Sequence, residues 1–547
     1  MPTGADHVVQ PLANAGVEVC FGLPGVHNLP IWSALRESPI RLVGVRHEQA
    51  AVYAADGYAR ATGRVGVALV TTGPGAANTL GAVGEAWASG SPVLVIATDI
   101  PKALRRPGVH RGVLHECVDQ PGMFGPVVKA SFAVGRVEDL ALSVDRALAA
   151  ALEHPQRPVY LQIPTDLLRA ELPSRGLGTS EIVREHAVPL EADLAAAAAV
   201  LAEAKRPLVW AGGGAARDGA RRAVASLAER LNAPVILTYS GRGLLPADHP
   251  CLVDLPPHLP EVGALWDEAD AVVVVGSDLD GMTTQNWAMP RPPKLVAINL
   301  DPADAAKNYG ADVIIRAGAG EGTAALAELV PPRPGLAAQR DRLAALQAGA
   351  IARLRAEHPD ELAFLDAFAA AVPDEAVVLA DMCIPGYWLA GMHPVRRPRG
   401  LQYPMGWGTL GYAFPAALGA ACGGVGPVVS VSGDGGFLFA CGELATVAQE
   451  RLPLTAVIVD DGGYGMLRFD QQRAATPTYG VDLATPDFAA LAAAFGVEAE
   501  TVDGLGDEFG AALARHVARP EPTVLVARAA LEPPPTTSPR WYRHGRT

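Results

Sequence analysis

Short apolar runs alternate with longer segments rich in alanine and leucine along most of the chain. One such run is "AVVVVG" at 271–276, and glycine or acidic residues follow several of the runs. Short continuous apolar runs are typical of strands buried on both faces of a sheet, and the segments between them are long enough for crossover helices. The pattern therefore predicts an α/β protein built on parallel sheets.

The apolar runs fall into three blocks of predicted strands. The strands lie within 17–21, 65–71, 92–98 and 159–163, then within 206–216, 233–243, 269–280 and 294–302, and then within 375–382, 426–436, 454–463 and 522–529. Stretches rich in proline and glycine at 171–180 and 330–335 predict breaks between the blocks. We predict three doubly wound parallel-sheet domains and a C-terminal tail, at 1–172, 185–332, 355–530 and 531–547.

The composition favours a well-buried globular protein and excludes several kinds of partner. Of the 547 residues, 50% are hydrophobic and 19% are charged, and the formal net charge is −14. Such an acidic chain lacks the basic face that nucleic acid or an anionic membrane requires. The apolar runs are too short to span a membrane, and the first residues lack the pattern of a signal peptide. The six cysteines include no Cys-x-x-Cys pair, which is typical of reduced cysteines, so we expect a cytoplasmic protein.

Two predicted strands of the third block end in acidic, glycine-rich turns. Gly433-Asp434-Gly435 follows one strand, and Asp460-Asp461-Gly462-Gly463 follows the next, with 27 positions between Asp434 and Asp461. Ligands of open parallel sheets bind beyond the carboxyl ends of the strands, and carboxylate oxygens suit Mg²⁺ together with phosphate oxygens. A single such turn is more often an ordinary helix cap, but the spaced pair is more specific.

The spaced pair resembles the signature of thiamine diphosphate enzymes of the acetolactate synthase and 2-oxo acid decarboxylase group. The resemblance implies that Mg²⁺ is bound by Asp434, Asp461 and the main-chain oxygen of Gly463. It also implies that the diphosphate region of the cofactor is held by Gly433, Asp434, Gly435, Gly436, Asp461, Gly463, Tyr464, Gly465 and Met466. The family usually has Asn-Asn where this chain has Asp460-Asp461, which adds negative charge beside a diphosphate.

The segment "RHEQAAVYAADGYAR" at 46–60 resembles the family segment that bears the catalytic glutamate, and "TTGPGAAN" at 71–78 resembles the Gly-Pro-Gly loop after it. From the residues alone, Glu48 also fits an acid in the first turn of a helix. The resemblance implies that Glu48 hydrogen-bonds N1′ of the aminopyrimidine ring. A buried carboxylic acid there favours the imino tautomer that removes the C2 proton of the thiazolium ring.

The segment "YPMGWGTLGYAFPAALGA" at 403–420 is a third match to the family. The resemblance places Leu410 between the two cofactor rings and the carbonyl of Gly408 at the 4′-amino group. In this family the glutamate and the metal-binding acid of one site come from different subunits. The resemblance therefore implies a homodimer or homotetramer with active sites between subunits.

Candidates for proton handling lie in two further loops. His27 belongs to "FGLPGVHNLP" at 21–30, and His115 and Glu116 belong to "GVLHECVDQPGMFGPVVK" at 112–129. The resemblance places both loops beside the reacting carbon, where pyruvate decarboxylases carry an acid at the position of Val26. From the residues alone, His27 fits equally well a loop histidine at a helix start, and the second loop fits an ordinary surface loop.

The resemblance implies an acetolactate synthase-like enzyme that decarboxylates a small 2-oxo acid and ligates the resulting enamine to a second carbonyl compound. The first alternative is a 2-oxo acid decarboxylase without ligation, since similar Leu-His-Glu loops occur in such relatives. Asp460-Asp461 motivates a hypothesis of another class, a non-catalytic regulatory paralogue. FAD in the central domain is possible but is not predicted, because 277–280 depart from the family's Arg-Phe segment.

Overall fold

The computed structural model describes residues 1–106, 108–172 and 187–535. It contains three six-stranded sheets in which all strand pairs are parallel. Helices connect the strands, so the prediction of three parallel α/β units is confirmed. Residues 173–180 of the predicted linker and 536–547 of the predicted tail lie outside the described residues, and the domain limits stay predictions.

The first sheet has the strand order β2-β1-β3-β4-β6-β5. Its strands are β1 (Val19–Gly22), β2 (Arg41–Gly44), β3 (Gly66–Val70), β4 (Val93–Asp99), β5 (Ala130–Ala133) and β6 (Val159–Pro164). Its helices are α1 (Asp6–Asn14), α2 (Leu29–Arg36), α3 (Glu48–Thr62), α4 (Pro74–Ala77), α5 (Leu80–Ser89), α6 (Gln120–Phe124), α7 (Leu140–Leu152) and α8 (Thr165–Leu168).

The second sheet has the strand order β12-β11-β10-β7-β8-β9. Its strands are β7 (Pro207–Ala211), β8 (Val235–Leu237), β9 (Leu252–Val253), β10 (Ala271–Val275), β11 (Lys294–Asn299) and β12 (Val313–Arg316). The helices of this part of the chain are α9 (Glu191–Glu203), α10 (Gly213–Arg217), α11 (Arg221–Leu231), α12 (Pro260–Glu268), α13 (Pro302–Ala306), α14 (Ala319–Leu329), α15 (Leu336–Glu357) and α16 (Pro359–Ala371).

The third sheet has the strand order β14-β13-β15-β16-β18-β17. Its strands are β13 (Val377–Ala380), β14 (Leu401–Gln402), β15 (Val428–Gly433), β16 (Leu454–Asp460), β17 (Glu498–Asp503) and β18 (Thr523–Arg528). Its helices are α17 (Ile384–Met392), α18 (Ala413–Cys422), α19 (Asp434–Leu438), α20 (Leu444–Glu450), α21 (Gly465–Arg473), α22 (Phe488–Ala494) and α23 (Asp507–Val517).

The first and third domains pack against each other through α3 and α18. The two helices approach so closely that a Cβ atom at Gly57 would lie 2.0 Å from the carbonyl oxygen of Ala416, and one at Gly419 would lie 1.8 Å from that of Ala54. One hydrophobic cluster contains buried residues of both domains, including Tyr53. The first and third domains therefore form one continuous packed unit.

Among the residues that the structure describes, no helix combines the length and the apolar character that crossing a bilayer requires.

Candidate functional site

The side chains of the first half-site lie at the carboxyl end of the first sheet. Glu48 opens α3 directly after β2, and its side chain is buried, with an exposed fraction of 8%. The Nδ2 group of Asn78 donates to Oε2 of Glu48 over 3.0 Å. In the described part of the chain, that bond is the one that holds the Glu48 carboxylate, so Oε1 remains able to bind a ligand group.

The Gly-Pro-Gly loop brings backbone close to Glu48. Gly73 has a φ of 63°, and a Cβ atom there would lie 2.6 Å from the carbonyl oxygen of His115. A Cβ atom at Gly75 would lie 2.7 Å from Cγ2 of Thr71 and 3.4 Å from Oε1 of Glu48. Gly73 requires glycine because of its positive φ and the His115 backbone against it, whereas at Gly75 the close neighbour is Thr71 of the same loop.

His27 and His115 meet at this loop. Their rings pack edge to face, with centroids 5.6 Å apart and an interplanar angle of 88°. Nδ1 of His27 lies 2.7 Å from the Thr72 hydroxyl, which also hydrogen-bonds to Thr98 over 3.0 Å. Burial lowers the pKa of His27, and the neighbouring His115 lowers it further. The structure thus brings the two predicted histidines together beside the loop that contacts Glu48.

Glu116 faces its own loop rather than the histidines. Its Oε2 accepts hydrogen bonds from the backbone N–H of Arg111 (2.8 Å) and of Val113 (3.0 Å). Burial alone would raise the pKa of Glu116, but these backbone N–H groups lower it overall. In this structure Glu116 therefore stabilises the 111–116 turn, and its predicted role in proton handling stays a prediction.

A buried polar network beneath the histidines was missed by sequence reasoning. The Gln120 side chain accepts from the N–H of Gly73 over 2.6 Å and donates to Tyr160 and Gln162. Gln162 in turn donates to Asp99, which is held by a bidentate pair with Arg105 at 2.5 and 2.7 Å. Asp99 ends β4, so an acid at the carboxyl end of a predicted strand was the available signal.

The second half-site lies at the carboxyl end of the third sheet. Asp434 begins α19 directly after β15, and Asp461 follows β16, the neighbouring strand. Oδ2 of Asp434 and Oδ1 of Asp461 are buried and lack a hydrogen-bond partner within the described residues. Burial raises the pKa of Asp434 to about 7, and the charges of Asp461 and Asp460 add to the rise. Two buried carboxylate oxygens without donors need a cation or a proton.

Glycines surround these acids because the backbone is crowded. A Cβ atom at Gly465 would lie 2.1 Å from Oδ2 of Asp461, and one at Gly435 would lie 2.7 Å from the Tyr464 ring. Gly463 has a φ of 153°, and a Cβ atom there would lie 2.2 Å from the carbonyl oxygen of Val481. Gly433 and Gly436 flank the start of α19, and Met466 packs its side chain against the core of the third domain.

Arg468 offsets part of the extra negative charge at the Asp-Asp turn. Its guanidinium donates to the carbonyl oxygens of Asp461 (3.3 Å) and Gly462 (3.2 Å), and it pairs with Asp482 at 2.9 Å. Burial raises the pKa of Asp461, whereas the charge of Arg468 lowers it. Sequence reasoning missed Arg468, which lies in the first turn of α21, seven positions after Asp461.

The turn that contains Gly408 and Leu410 is fixed by an aspartate. Gly408 has a φ of 73°, and the half-buried Leu410 follows two positions later. Asp381 accepts hydrogen bonds from the N–H groups of Gly411 and Tyr412, both at 3.1 Å. Burial raises the pKa of Asp381 to about 6. Asp381 directly follows β13, so its position at a strand end was again the available sequence signal.

The second half-site fits a divalent cation whose coordination is completed by oxygens of a phosphate group. The described residues contain no cluster of three or more His, Cys, Asp or Glu side chains with metal-binding geometry. Asp434 and Asp461 would therefore supply two ligands, and further oxygens must come from the backbone or from a ligand. Mg²⁺ prefers this arrangement of few carboxylates with phosphate oxygens.

A separate cavity of about 200 Å³ lies between the first and central domains. Among its lining residues are Ser89 and Arg157 of the first domain and Gly213, Arg217 and Asp301 of the central domain.

Family models match the chain in three places. The N-terminal TPP binding domain of thiamine pyrophosphate enzymes matches 2–123, the central domain matches 194–329, and the C-terminal TPP binding domain matches 383–527. The chain belongs to the family of thiamine pyrophosphate (thiamine diphosphate) enzymes. The resemblance drawn from the sequence motifs is confirmed.

Relatives of both reaction types are similar to this chain. A probable 2-ketoarginine decarboxylase of Pseudomonas aeruginosa is 37% identical, over 90% of this chain and 88% of that protein. The large subunit of acetolactate synthase isozyme 1 of Escherichia coli is 30% identical, over 97% and 94%. The solved structure of the 4-hydroxybenzoylformate decarboxylase of Rhodococcus jostii RHA1 superposes with a TM-score of 0.82 at 25% identity, covering 97% and 99%. The protein is thus a thiamine diphosphate-dependent enzyme of the acetolactate synthase and decarboxylase type.

Proposed function

We propose that this enzyme is a Mg²⁺-dependent 2-oxo acid decarboxylase. It replaces the lost CO₂ with a proton and releases an aldehyde. The observation that carries the proposal is the His27–His115 pair beside the Gly-Pro-Gly loop, which also contacts Glu48. Decarboxylation without ligation consumes one proton for each 2-oxo acid. Two adjacent imidazoles can hold a proton and pass it through their ring nitrogens.

The cofactor end of the proposal rests on Asp434 and Asp461. Both have a buried oxygen without a donor, so we assign them, with the main-chain oxygen of Gly463, as ligands of Mg²⁺. Gly408 and Leu410 form the turn that would hold the aminopyrimidine end. When bound, thiamine diphosphate supplies the electron sink that allows the carboxylate to leave as CO₂.

Glu48 would hold a proton for the aminopyrimidine ring at Oε1. Asn78 engages the other oxygen, so the carboxyl group is oriented by its own domain. Glu48 lies at the carboxyl end of the first sheet, whereas Asp434 and Asp461 lie at that of the third sheet. We therefore propose that a complete site combines Glu48 of one subunit with the third domain of another, in a homodimer or a tetramer of such dimers.

Product stoichiometry tests the proposed reaction. The purified enzyme with thiamine diphosphate and Mg²⁺ is given a panel of 2-oxo acids, including pyruvate, an aromatic acid and a guanidino acid, with and without an added aldehyde. Simple decarboxylation releases one CO₂ for each 2-oxo acid consumed and yields the aldehyde. Ligation of two 2-oxo acids releases one CO₂ for every two consumed and yields a hydroxy-oxo acid. The second ratio would overturn the proposal.

Carboligation of the acetolactate synthase type is the second candidate. Val26 supports it, because this residue is apolar and 69% exposed beside His27, and so could border an acceptor aldehyde or 2-oxo acid. The similarity to acetolactate synthases also supports it. The family membership favours either reaction over a non-catalytic paralogue, which would have no use for a buried Glu48.

A further inference from the structure

A glutamate of the third domain holds the backbone that leads into Glu48. Oε1 of Glu443 accepts hydrogen bonds from the backbone N–H of Arg46 (2.9 Å) and of His47 (3.1 Å). Those are the two residues directly before Glu48, the first residue of α3. The Glu443 side chain is 1% exposed and both hydrogen bonds are partly buried, so loss of this carboxylate would leave two backbone N–H groups without their partner.

The Glu443 carboxylate is itself fixed in place. The hydroxyl of Thr446 donates to its Oε2 over 2.6 Å. Beside it, the Arg46 guanidinium donates to Gln449 over 2.8 Å. Glu443 also follows α19 closely in the chain, and α19 begins with Asp434. One short segment of the third domain therefore carries both a candidate metal ligand and the support for Glu48.

We propose that Glu443 is a positioning residue for Glu48, and that it acts by the location of its acceptor oxygen rather than by its charge. The inference rests on the proposed role of Glu48 toward the cofactor. A carboxyl group can serve N1′ only if its oxygen is placed accurately, and a misplacement of about 1 Å can cost about 100-fold in rate. The two hydrogen bonds that Glu443 accepts fix the backbone directly before α3, and thereby the point from which the Glu48 side chain extends.

An ordinary contact between the first and third domains would make a different prediction, and the chain offers a matched control. Arg41 pairs with Glu450 at 2.7 Å across the same two domains, but this pair does not touch the backbone of Arg46 or His47. Glu450→Ala therefore removes a contact between these domains and leaves in place both hydrogen bonds that Glu443 accepts.

The experiment compares Glu443→Asp, Glu443→Gln and Glu450→Ala as assembled holoenzymes. Asp keeps the charge but draws the oxygens back by one methylene, whereas Gln keeps an acceptor oxygen in place and removes the charge. The readout is the exchange of the C2 hydrogen of bound thiamine diphosphate for deuterium without substrate, followed by NMR after acid quenching. Cofactor affinity and kcat are measured in parallel.

We expect Glu443→Asp to slow C2 exchange by about 10- to 100-fold, and kcat with it, at a nearly unchanged cofactor affinity. Glu443→Gln and Glu450→Ala should stay within about threefold of the wild type. Wild-type exchange in Glu443→Asp would overturn the proposal. Slowing of Glu443→Gln to the same degree would also overturn it, because an acceptor oxygen in the right place would then not be sufficient without the charge.

Two further measurements keep the outcome decisive. If Glu443→Asp does not fold, Thr446→Val frees the carboxylate to rotate and should slow exchange in the same direction, and an unchanged rate would overturn the proposal. Glu48→Gln serves as the reference for a lost acid. If that variant exchanges at the wild-type rate, the role of Glu48 itself is wrong, which separates failure of the proposed function from failure of the Glu443 inference.

Discussion

Asn78 and Glu48 are joined by a hydrogen bond of 3.0 Å from Nδ2 to Oε2, between the Gly-Pro-Gly loop and the first residue of α3. The bond orients the carboxyl group and leaves its second oxygen beside Gly75. An acid that is held by one oxygen can offer the other to a ligand without first reorganising. This arrangement is what a proton donor to a bound ring requires.

Glu48→Gln should fold and bind thiamine diphosphate but lose about 100-fold or more of kcat. Gln keeps the size of the side chain and can accept from Asn78, but it cannot give up a proton. Steady-state kinetics and cofactor titration check the two parts. Glu37→Gln is the matched control, because Glu37 is an exposed acid on the surface of the same domain. Turnover near the wild-type rate in Glu48→Gln would remove the acid from the mechanism.

Asp461→Asn should bind thiamine diphosphate as tightly as the wild type or more tightly, with a modest loss of Mg²⁺ affinity. The amide keeps a hard oxygen and removes one negative charge beside the diphosphate, which is worth about 1 kcal/mol or more at close range. Asp461→Ala should weaken the binding of both thiamine diphosphate and Mg²⁺. Cofactor titration at fixed Mg²⁺ compares the three proteins.

Arg468 affects how the binding of the Asp461 variants is interpreted. Arg468 lowers the pKa of Asp461 through its charge, so it already offsets part of the extra negative charge. Much weaker binding in Asp461→Asn would show that the carboxylate charge is needed and that the electrostatic argument has the wrong sign. Unchanged binding in Asp461→Ala would show that Asp461 is not a ligand.

Mixed dimers should recover activity from two inactive variants. If each site combines Glu48 of one subunit with Asp434 of the other, a dimer of Glu48→Gln and Asp434→Ala has one intact site and one doubly defective site. Random reassociation should then give about a quarter of the wild-type activity. A mixture of Glu48→Gln with Glu48→Ala should give none. No recovery in the first mixture, despite subunit exchange, would place both residues of a site in one chain.

Glu85 predicts a pH-dependent cost in stability. Its side chain accepts from the Ser89 hydroxyl at 2.7 Å and lies 3.7 Å from the Arg60 guanidinium. Burial raises its pKa from the ordinary 4.5 to about 8. Between these values the unfolded chain loses a proton that the folded chain keeps, so the contribution of Glu85 to stability falls as pH rises.

Glu85→Gln should lose less stability than the wild type between pH 5 and pH 8, by about 1 to 3 kcal/mol. Urea denaturation at the two pH values measures the difference. Parallel pH dependences for the two proteins would mean that Glu85 is ionised in the folded state, with Arg60 overcoming the effect of burial.

The sequence predicted the interior of every sheet and missed every edge. In each sheet the four central strands were predicted, and the two unpredicted strands lie at the ends: β2 and β5, β9 and β12, β14 and β17. Central strands are buried on both faces and read as continuous apolar runs. The edges lack that signal, because β5 alternates between half-buried and exposed residues and β9 and β14 have two residues each.

Spacing and resemblance predicted that Glu48, Asp434 and Asp461 follow strands at the carboxyl ends of the sheets, and the structure places them there; their roles stay predictions. The direction in which a side chain points was not predictable from the sequence, as Glu116 shows. A carboxylate in a loop is equally able to face a ligand or the backbone N–H groups beside it, and the turn at 111–116 decides for the backbone. Asp381 was missed for the opposite reason, since its partners are backbone groups about 30 positions away.

The glycine contacts between α3 and α18 bear on how this enzyme can be recombined with its relatives. Each helix presents a glycine to the backbone of the other, Gly57 to Ala416 and Gly419 to Ala54, and a single added methyl group would separate them. A chimera that took its first domain from one protein and its third from another would have to keep a glycine at each of these two close helix contacts. The smallest transplantable unit is therefore the pair of outer domains, which must be inherited and engineered together.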